Sequence, residues 1–261
     1  MKINKSQIFT VKDISGHLWQ NVCKGEKMKR ILILAIALIL IVINCGKKEQ
    51  PAIKVSPLKW NETNKYRILI DTTISGSYVL IYKSDMESIM ELYSITEVTG
   101  HNGLTRDSTV IVLQQDNLKP ISSSKVLFTR GITLSAEIKY SKDKASVKAK
   151  MPDGEKSIDV PIGINSYDND EITTILRAVE LKPGQEKEIN VVIGLSGATV
   201  PIKVNAIGEE KATVPAGEFD CNKYTMTVVG RTIDVWYEKS ESKRMIKYFD
   251  AQTNMTMELL P

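Results

Sequence analysis

The chain has 261 residues with 35 Lys/Arg against 31 Asp/Glu. The formal charge of +4 belongs to the N-terminus: residues 1–44 carry seven Lys/Arg and two Asp/Glu, which leaves 28 basic and 29 acidic side chains in residues 45–261. A remainder at −1 gives no electrostatic case for nucleic-acid binding, and its 217 residues are enough to bury an adequate core.

Residues 1–27 show no sustained apolar periodicity, whereas Met28-Lys29-Arg30 is an ordinary beginning for a leader. Translation is therefore expected to start at Met28, with 1–27 an over-extended start outside the fold. Two positive charges, Lys29 and Arg30, precede an apolar run from Ile31 to Ile43 and then Cys45. The run is 13 residues, whereas a helix spanning a bilayer needs about 20, so an uncleaved anchor is the competing and weaker reading. Residues 28–45 resemble bacterial lipoprotein signals, in which the leader is cut off and the cysteine takes the lipid. Asn44 departs from the small residue usual before that cysteine, yet Ile41–Asn44 offers no A-x-A-like site for ordinary cleavage either. The resemblance implies a signal peptide at 28–44, lipid attachment at Cys45 and membrane anchoring through it. Gly46 after the cysteine implies the outer membrane where there is one, and otherwise the outer face of the cytoplasmic membrane.

Residues 45–63 are polar, with Pro51 and Pro57, and are expected to form a tether. From 64 to 261 short β-type runs alternate with turn signals and no internal linker intervenes, so one domain is expected. Tyr66–Ile70 and Tyr78–Tyr82 flank Ser75-Gly76-Ser77. Ile89–Val98 and Thr109–Gln114 flank Gly100-His101-Asn102-Gly103, where Asn-Gly signals a hairpin. Ile132–Tyr140 alternates apolar and polar residues, and Ala145–Met151 continues the pattern.

One helix is predicted beyond the leader. Asp168 can cap it, Glu171 follows at the reciprocal position, and Ile172, Ile175, Leu176 and Val179 form an apolar stripe. Lys182-Pro183-Gly184 stops it. Further strands are expected near Glu188–Ile193, Thr199–Ile207, Lys211–Val214, Asn222–Val229, Thr232–Glu238, Met245–Asp250 and 255–260. The fold class is mainly β: a strongly curved antiparallel sheet or incomplete β-barrel with one short amphipathic helix packed on it.

Val214-Pro215-Ala216-Gly217-Glu218-Phe219 carries the grammar of a tight turn, as does Met151-Pro152-Asp153-Gly154. The order Val214-Pro215-Ala216-Gly217, Phe219, Lys223-Tyr224 and Val235-Trp236-Tyr237, after Leu176-Arg177 and Lys182-Pro183-Gly184, is similar to an uncharacterised bacterial envelope family. It is known as domain of unknown function 3108. The resemblance covers about 165–261, implies an exported β-rich domain and transfers no catalytic residue.

Residues 45–261 hold one histidine, His101, in a glycine-flanked turn, so a Ser-His-Asp arrangement would have to use it. Ser122-Ser123-Ser124-Lys125 matches S-x-x-K and Tyr167-Asp168-Asn169 is similar to a second penicillin-binding-protein element. However, no K-T-G follows and Lys125 leads into a Val-Leu-Phe strand. A calcium loop counted from Asp168 would need glycine and glutamate where Thr173 and Val179 stand. No catalytic residue, cofactor or metal is assigned. Cys23 precedes the expected cut and Cys45 would carry lipid, which leaves Cys221 without a partner for a disulfide.

Met226, Met245, Met255 and Met257 fall within the last 36 residues, interleaved with Trp236, Tyr237, Tyr248 and Phe249. Methionine and aromatic residues together fill irregular cores or line adaptable apolar surfaces. The expectation is a lipid-anchored, non-enzymatic envelope protein that binds an apolar or amphipathic ligand at these eight residues. The alternative is a structural or assembly partner that meets another envelope protein along a sheet edge, and a hydrolase ranks last.

Overall fold

The computed structural model describes residues 61–84, 88–100 and 103–261. The expected leader, Cys45, residues 45–60 of the expected tether and His101 lie outside them. Glu62 and Thr63, expected in that tether, instead open the first strand, because they pair with Tyr82 and Ile81. Fifteen strands among the described residues form one sheet. They are β1 (Glu62–Ile70), β2 (Thr73–Lys83), β3 (Ile89–Gly100), β4 (Gly103–Gln114), β5 (Pro120–Thr129), β6 (Ile132–Tyr140), β7 (Lys144–Met151) and β8 (Gly154–Pro161). The second half holds β9 (Ser166–Asp168), a 3-10 turn (Asn169–Glu171), helix α1 (Ile172–Ala178), β10 (Glu186–Ile193), β11 (Ala198–Val214), β12 (Gly217–Val228), β13 (Arg231–Glu238), β14 (Met245–Asp250) and β15 (Met255–Leu259).

The spatial order is β8-β7-β6-β5-β4-β3-β2-β1-β15-β14-β13-β12-β11-β10-β9. Two antiparallel meanders are thus stitched together by the pairing of β1 with β15, with Tyr66 opposite Leu259 and Ile70 opposite Met255. The one parallel pair is β9 with β10. The sheet curls far enough for the β10–β11 turn to reach the opposite meander. A Cβ added at Gly194 would stand 2.8 Å from Ile138 Cδ1, and one at Gly197 2.8 Å from Ile158 Cδ1. Val192 packs there with Ala136, Ile138, Val147 and Val160 in a small second core. The terminal strands β8 and β9 are not paired with each other, so the barrel is incomplete.

Alternation decides which side of each strand faces the lumen. Tyr66 and Ile68 of β1, Leu80 and Tyr82 of β2, Met90 and Leu92 of β3, and Ile111 and Leu113 of β4 are all buried in the main core. Several boundaries differ from the sequence expectation. Ser75-Gly76-Ser77 lies inside β2, and the β1–β2 turn falls at Asp71, which takes a left-handed φ of 57°. Gly76 is required by close approach, because a Cβ there would sit 2.0 Å from the Glu97 carbonyl oxygen of β3. The two strands expected at 199–207 and 211–214 are one strand, β11, because a bulge between Ala206 and Gly208 lets it bend without breaking. The β8 and β9 strands have no counterpart in the sequence reading. The expected turns at Gly100–Gly103, Met151–Gly154 and Val214–Gly217 do close hairpins.

The helix forms as its sequence suggests but sits differently. Asp168 Oδ1 accepts the Asp170 N–H at 3.0 Å and Glu171 Oε1 accepts the Asp168 N–H at 2.7 Å, the reciprocal capping box. The expected stripe of Ile175, Leu176 and Val179 is buried, with Ile172 half-buried. Thr173, Thr174, Arg177 and Ala178 on the other faces are buried too. The helix therefore lies inside the curl of the sheet, not against it as a one-sided amphipathic helix would. Its polar face is answered from the walls: the Tyr237 hydroxyl donates to the Thr173 carbonyl at 2.7 Å and the Tyr82 hydroxyl is 3.2 Å from Thr174 Oγ1. Arg177 pairs with Glu62, donates Nε–H to the Ser242 carbonyl at 3.0 Å and stacks over the Tyr82 ring at 5.0 Å.

Leu176→Ala should lower unfolding free energy by about 2–5 kcal/mol, since a buried leucine leaves a cavity that the enclosing sheet cannot close. Urea denaturation measures it, and a loss below about 0.5 kcal/mol, the size of an ordinary surface substitution, would place the helix outside the core.

Candidate functional site

Antiparallel alternation puts the β1–β2, β3–β4, β5–β6, β12–β13 and β14–β15 turns at one end of the barrel, here called the rim. Below the rim is a cavity of about 300 Å³, at the lower end of the roughly 300–1,000 Å³ typical of small-molecule sites. Its walls are interior residues in register around the sheet. Met226 stands opposite Ile233, Tyr248 opposite Met257 and Met257 opposite Ile68 on the apolar side. Tyr78 stands opposite Thr96, and Thr96 opposite Asp107, on the side that turns polar. Ile172 and Thr173 of the helix, with Asn169 and Asp170 before it, also line the cavity. At the rim, Val229 occupies a left-handed turn position at φ 48° and is 86% exposed. Ile74 beside the neighbouring β1–β2 turn is 63% exposed. The intervening tip is tied to the β1–β2 turn by Asp71 N–H to the Asn254 carbonyl at 3.0 Å.

The eight residues expected to form a ligand surface divide three ways. Met226, Tyr248, Met255 and Met257 line the cavity. Tyr237 and Met245 are buried in the core, where Met245 gives its carbonyl to the Tyr66 hydroxyl at 3.0 Å and Tyr237 holds the helix. Trp236 and Phe249 do not line the cavity. Trp236 pairs with Lys247 on the outer face, covered by Lys223 and Lys247 with their ammonium groups 4.6 and 5.6 Å from its ring. Alternation from the cavity-lining Tyr248 turns Phe249 outward beside Asp234. Strand alternation separates Trp236 and Phe249 from the inward residues, whereas Tyr237 and Met245 lie inward but away from the cavity. A one-residue irregularity between Trp236 and Tyr237 shifts the register of the pairing.

The polar side holds a charge cluster that composition did not reveal. Lys125 Nζ lies 2.7 Å from Asp107 Oδ2, 2.8 Å from Asp170 Oδ2 and 3.5 Å from Thr109 Oγ1. Asp107 is raised above the usual carboxylate range by burial, although Lys125 opposes this. Burial disfavours the Lys125 charge, but Asp170 and Asp107 more than reverse this and hold it as an ammonium. Behind them, Asp168 accepts the Tyr140 hydroxyl at 2.8 Å and is pushed up to about 6, first by burial and then by the Asp170 charge. Glu171, also buried, is raised by its burial and by Asp168. Ser123 hydrogen-bonds Asp168, so the S-x-x-K and Tyr-Asp-Asn segments do meet. Lys125 is held charged, however, which is the wrong state for a general base toward a serine. Asp107 Oδ1 and Arg231 Nε, both on residues that line the cavity, have no hydrogen-bond partner in the protein, whereas the Thr173 side chain engages the Tyr78 hydroxyl.

A larger cleft of about 540 Å³ lies at the opposite end, between Pro120, Tyr140 and Ile164. Its Lys119 is lowered to about 8 by burial. That amine is already engaged, since it donates to the Ile164 and Ser166 carbonyls and lies 3.7 Å from the Tyr167 ring. It clamps the approach to β9, and the cleft brings together none of the expected residues.

The family described as "Protein of unknown function (DUF3108)" matches residues 55–259, and the chain belongs to it. The match extends well before residue 165, over strands that no short motif marks. No curated protein matches the chain. Among solved structures, the chain is similar to a beta-barrel-like protein of the domain of unknown function DUF1849 from Brucella abortus, with a TM-score of 0.54, 10% identity, and coverage of 78% of this chain and 97% of that one. That likeness concerns the fold alone. A protein with a YmcC-like fold from Bacteroides fragilis is matched over 80% of this chain and 98% of its own, at 10% identity and a TM-score of only 0.30.

The Asp168 environment predicts a pH dependence of stability. Because the folded carboxyl sits at about 6 against an ordinary aspartate value of 3.8, the folded state keeps a proton that the unfolded state has released. Stability should fall as pH rises from about 4 to about 6, by roughly 3 kcal/mol at most from this group. Glu238 acts oppositely and mostly below this window: although burial opposes it, Arg244 and Ser242 hold it at about 2. Asp168→Asn keeps the cap and should flatten the decline. Urea unfolding between pH 4 and pH 7 measures both, and equal slopes in the two proteins would overturn the assignment.

Proposed function

We propose that this protein is a lipid-anchored, non-enzymatic envelope protein that binds an amphipathic ligand in the cavity below the rim. The supporting observation is that one cavity, open to the outside, has an apolar wall of Met226, Tyr248, Met255 and Met257 and a polar wall of Thr96, Asp107 and Asp170. An alkyl chain gains dispersion contacts against such a wall, and methionine adapts to its shape. Exposed Ile74 and Val229 at the same end suit entry of an apolar molecule there. Anchoring is read from the leader and Cys45, as argued from the sequence. Pairing of a partner along the terminal strand β8 is the weaker reading. That strand carries Glu155, Lys156 and Asp159, exposed charges of the kind that protect an edge.

The full chain should bind a neutral fluorescent probe such as Nile red, with emission rising on transfer to the apolar wall. Met226→Ala and Met257→Ala should change probe affinity severalfold and cost less than about 2 kcal/mol of stability, below the ~2–5 kcal/mol usual for a packed core methionine. No probe binding, together with full core-type losses, would leave these residues as packing alone.

Mass spectrometry of the native N-terminus should find a lipid-modified Cys45 as the first residue. An unmodified peptide spanning Asn44-Cys45 would overturn the anchor.

A further inference from the structure

We infer that the ligand of this cavity carries a neutral or cationic, hydrogen-bond-donating head and not an anionic one, an inference that rests on the ligand-binding reading above. Among the lining residues the charged groups are Asp107, Asp170 and Arg231. Arg231 is paired with Asp250, whose side chain is fully buried, so that pair contributes no net charge. Asp107 and Asp170 share the single ammonium of Lys125, at 2.7 and 2.8 Å. Two carboxylates against one ammonium leave the polar wall at a net charge of −1. Lys125 also has no donor to spare for an incoming anion, since its third neighbour is Thr109 Oγ1 at 3.5 Å.

An uncommitted acceptor points the same way. Asp107 Oδ1 has no partner in the protein. A hydroxyl or ammonium head supplies a donor to such an atom. A carboxylate or phosphate supplies none and would meet like charge where partial burial strengthens the repulsion. The one contrary atom, Arg231 Nε, is a donor without a partner. It suits the oxygen of a hydroxyl head as well as an anion, so it does not discriminate between them. The apolar wall then takes the alkyl part, so the ligand class is a long-chain alcohol, an acylglycerol-like molecule or an alkylamine.

The test uses matched ten-carbon probes on the full chain, followed by isothermal titration calorimetry at low ionic strength. Decanol and decylammonium should bind at least about tenfold more tightly than decanoate, a gap of roughly one decade in Kd. Asp107→Asn and, separately, Asp170→Asn should narrow the gap between decylammonium and decanoate while leaving decanol nearly unchanged. If either variant fails to fold, the other variant and the wild-type ranking decide. Decanoate binding as tightly as decylammonium, and lost in Arg231→Gln, would overturn the head-group assignment and leave the ligand-binding reading standing. Failure of all three probes to bind would overturn both.

Discussion

A seven-residue helix enclosed on every side is the constraint from which the rest of this structure follows. So short a helix is not stable alone, and each polar group it takes into the lumen must find a partner or lose more than it gains. The walls supply them. Tyr237 and Tyr82 reach the threonines, and Glu62 with the Ser242 carbonyl neutralises and binds Arg177, whose side chain is 1% exposed. Removing one partner would leave a buried charge uncompensated, which generally costs several kcal/mol. The helix is thereby fixed along the lumen, with its first turn at the cavity and its last at the 239–244 loop.

The cavity is the part of the lumen that the helix does not fill. Its two-sidedness comes from strand order. Inner positions on β12, β14, β15 and β1 are Met226, Tyr248, Met257 and Ile68, whereas those on β3 to β5 near the rim are Thr96, Asp107 and Lys125. Curling the sheet brings these walls face to face and sets the helix N-terminus between them. Acidic residues at a helix N-terminus are favoured by its dipole and cap. Here Asp168 and Glu171 are buried beside half-buried Asp170, which raises Asp168 and Glu171. Capping and charge burial therefore oppose each other in Asp168 and Glu171. Tyr140 and Ser123 reduce the conflict by donating to Asp168, and Lys125 pairs with Asp170.

The joint between β1 and β15 is the other non-local commitment. Nearly every other strand pairs with its sequence neighbour through a short turn, so those contacts form locally. The β1–β15 ladder instead joins residues almost 200 positions apart, Tyr66 to Leu259 for example, and must await both meanders. It is also the ladder that places Met257 beside Ile68 and so completes the apolar wall.

The sequence by itself determined the strands with clean alternation, the hairpins at Gly100–Gly103, Met151–Gly154 and Val214–Gly217, and the cap of the one helix. Each rests on local physics: period two, φ preferences, and a carboxylate near free N–H groups. The helix stripe at Ile175, Leu176 and Val179 was legible for the same reason, and so was half of the candidate site, because methionines alternating with polar residues mark an inward face. Tertiary structure alone decided the rest. Nothing in Thr173, Thr174 and Arg177 reveals burial, since their partners Tyr237, Tyr82, Glu62 and Ser242 come from distant segments. Trp236 and Tyr237 are neighbours in sequence, yet pleating sends one outward under two lysines and the other to the helix. Asp107, Lys125 and Asp170 stand far apart in the chain and become a single charged group only because a curved sheet folds its polar inner positions onto the start of the helix.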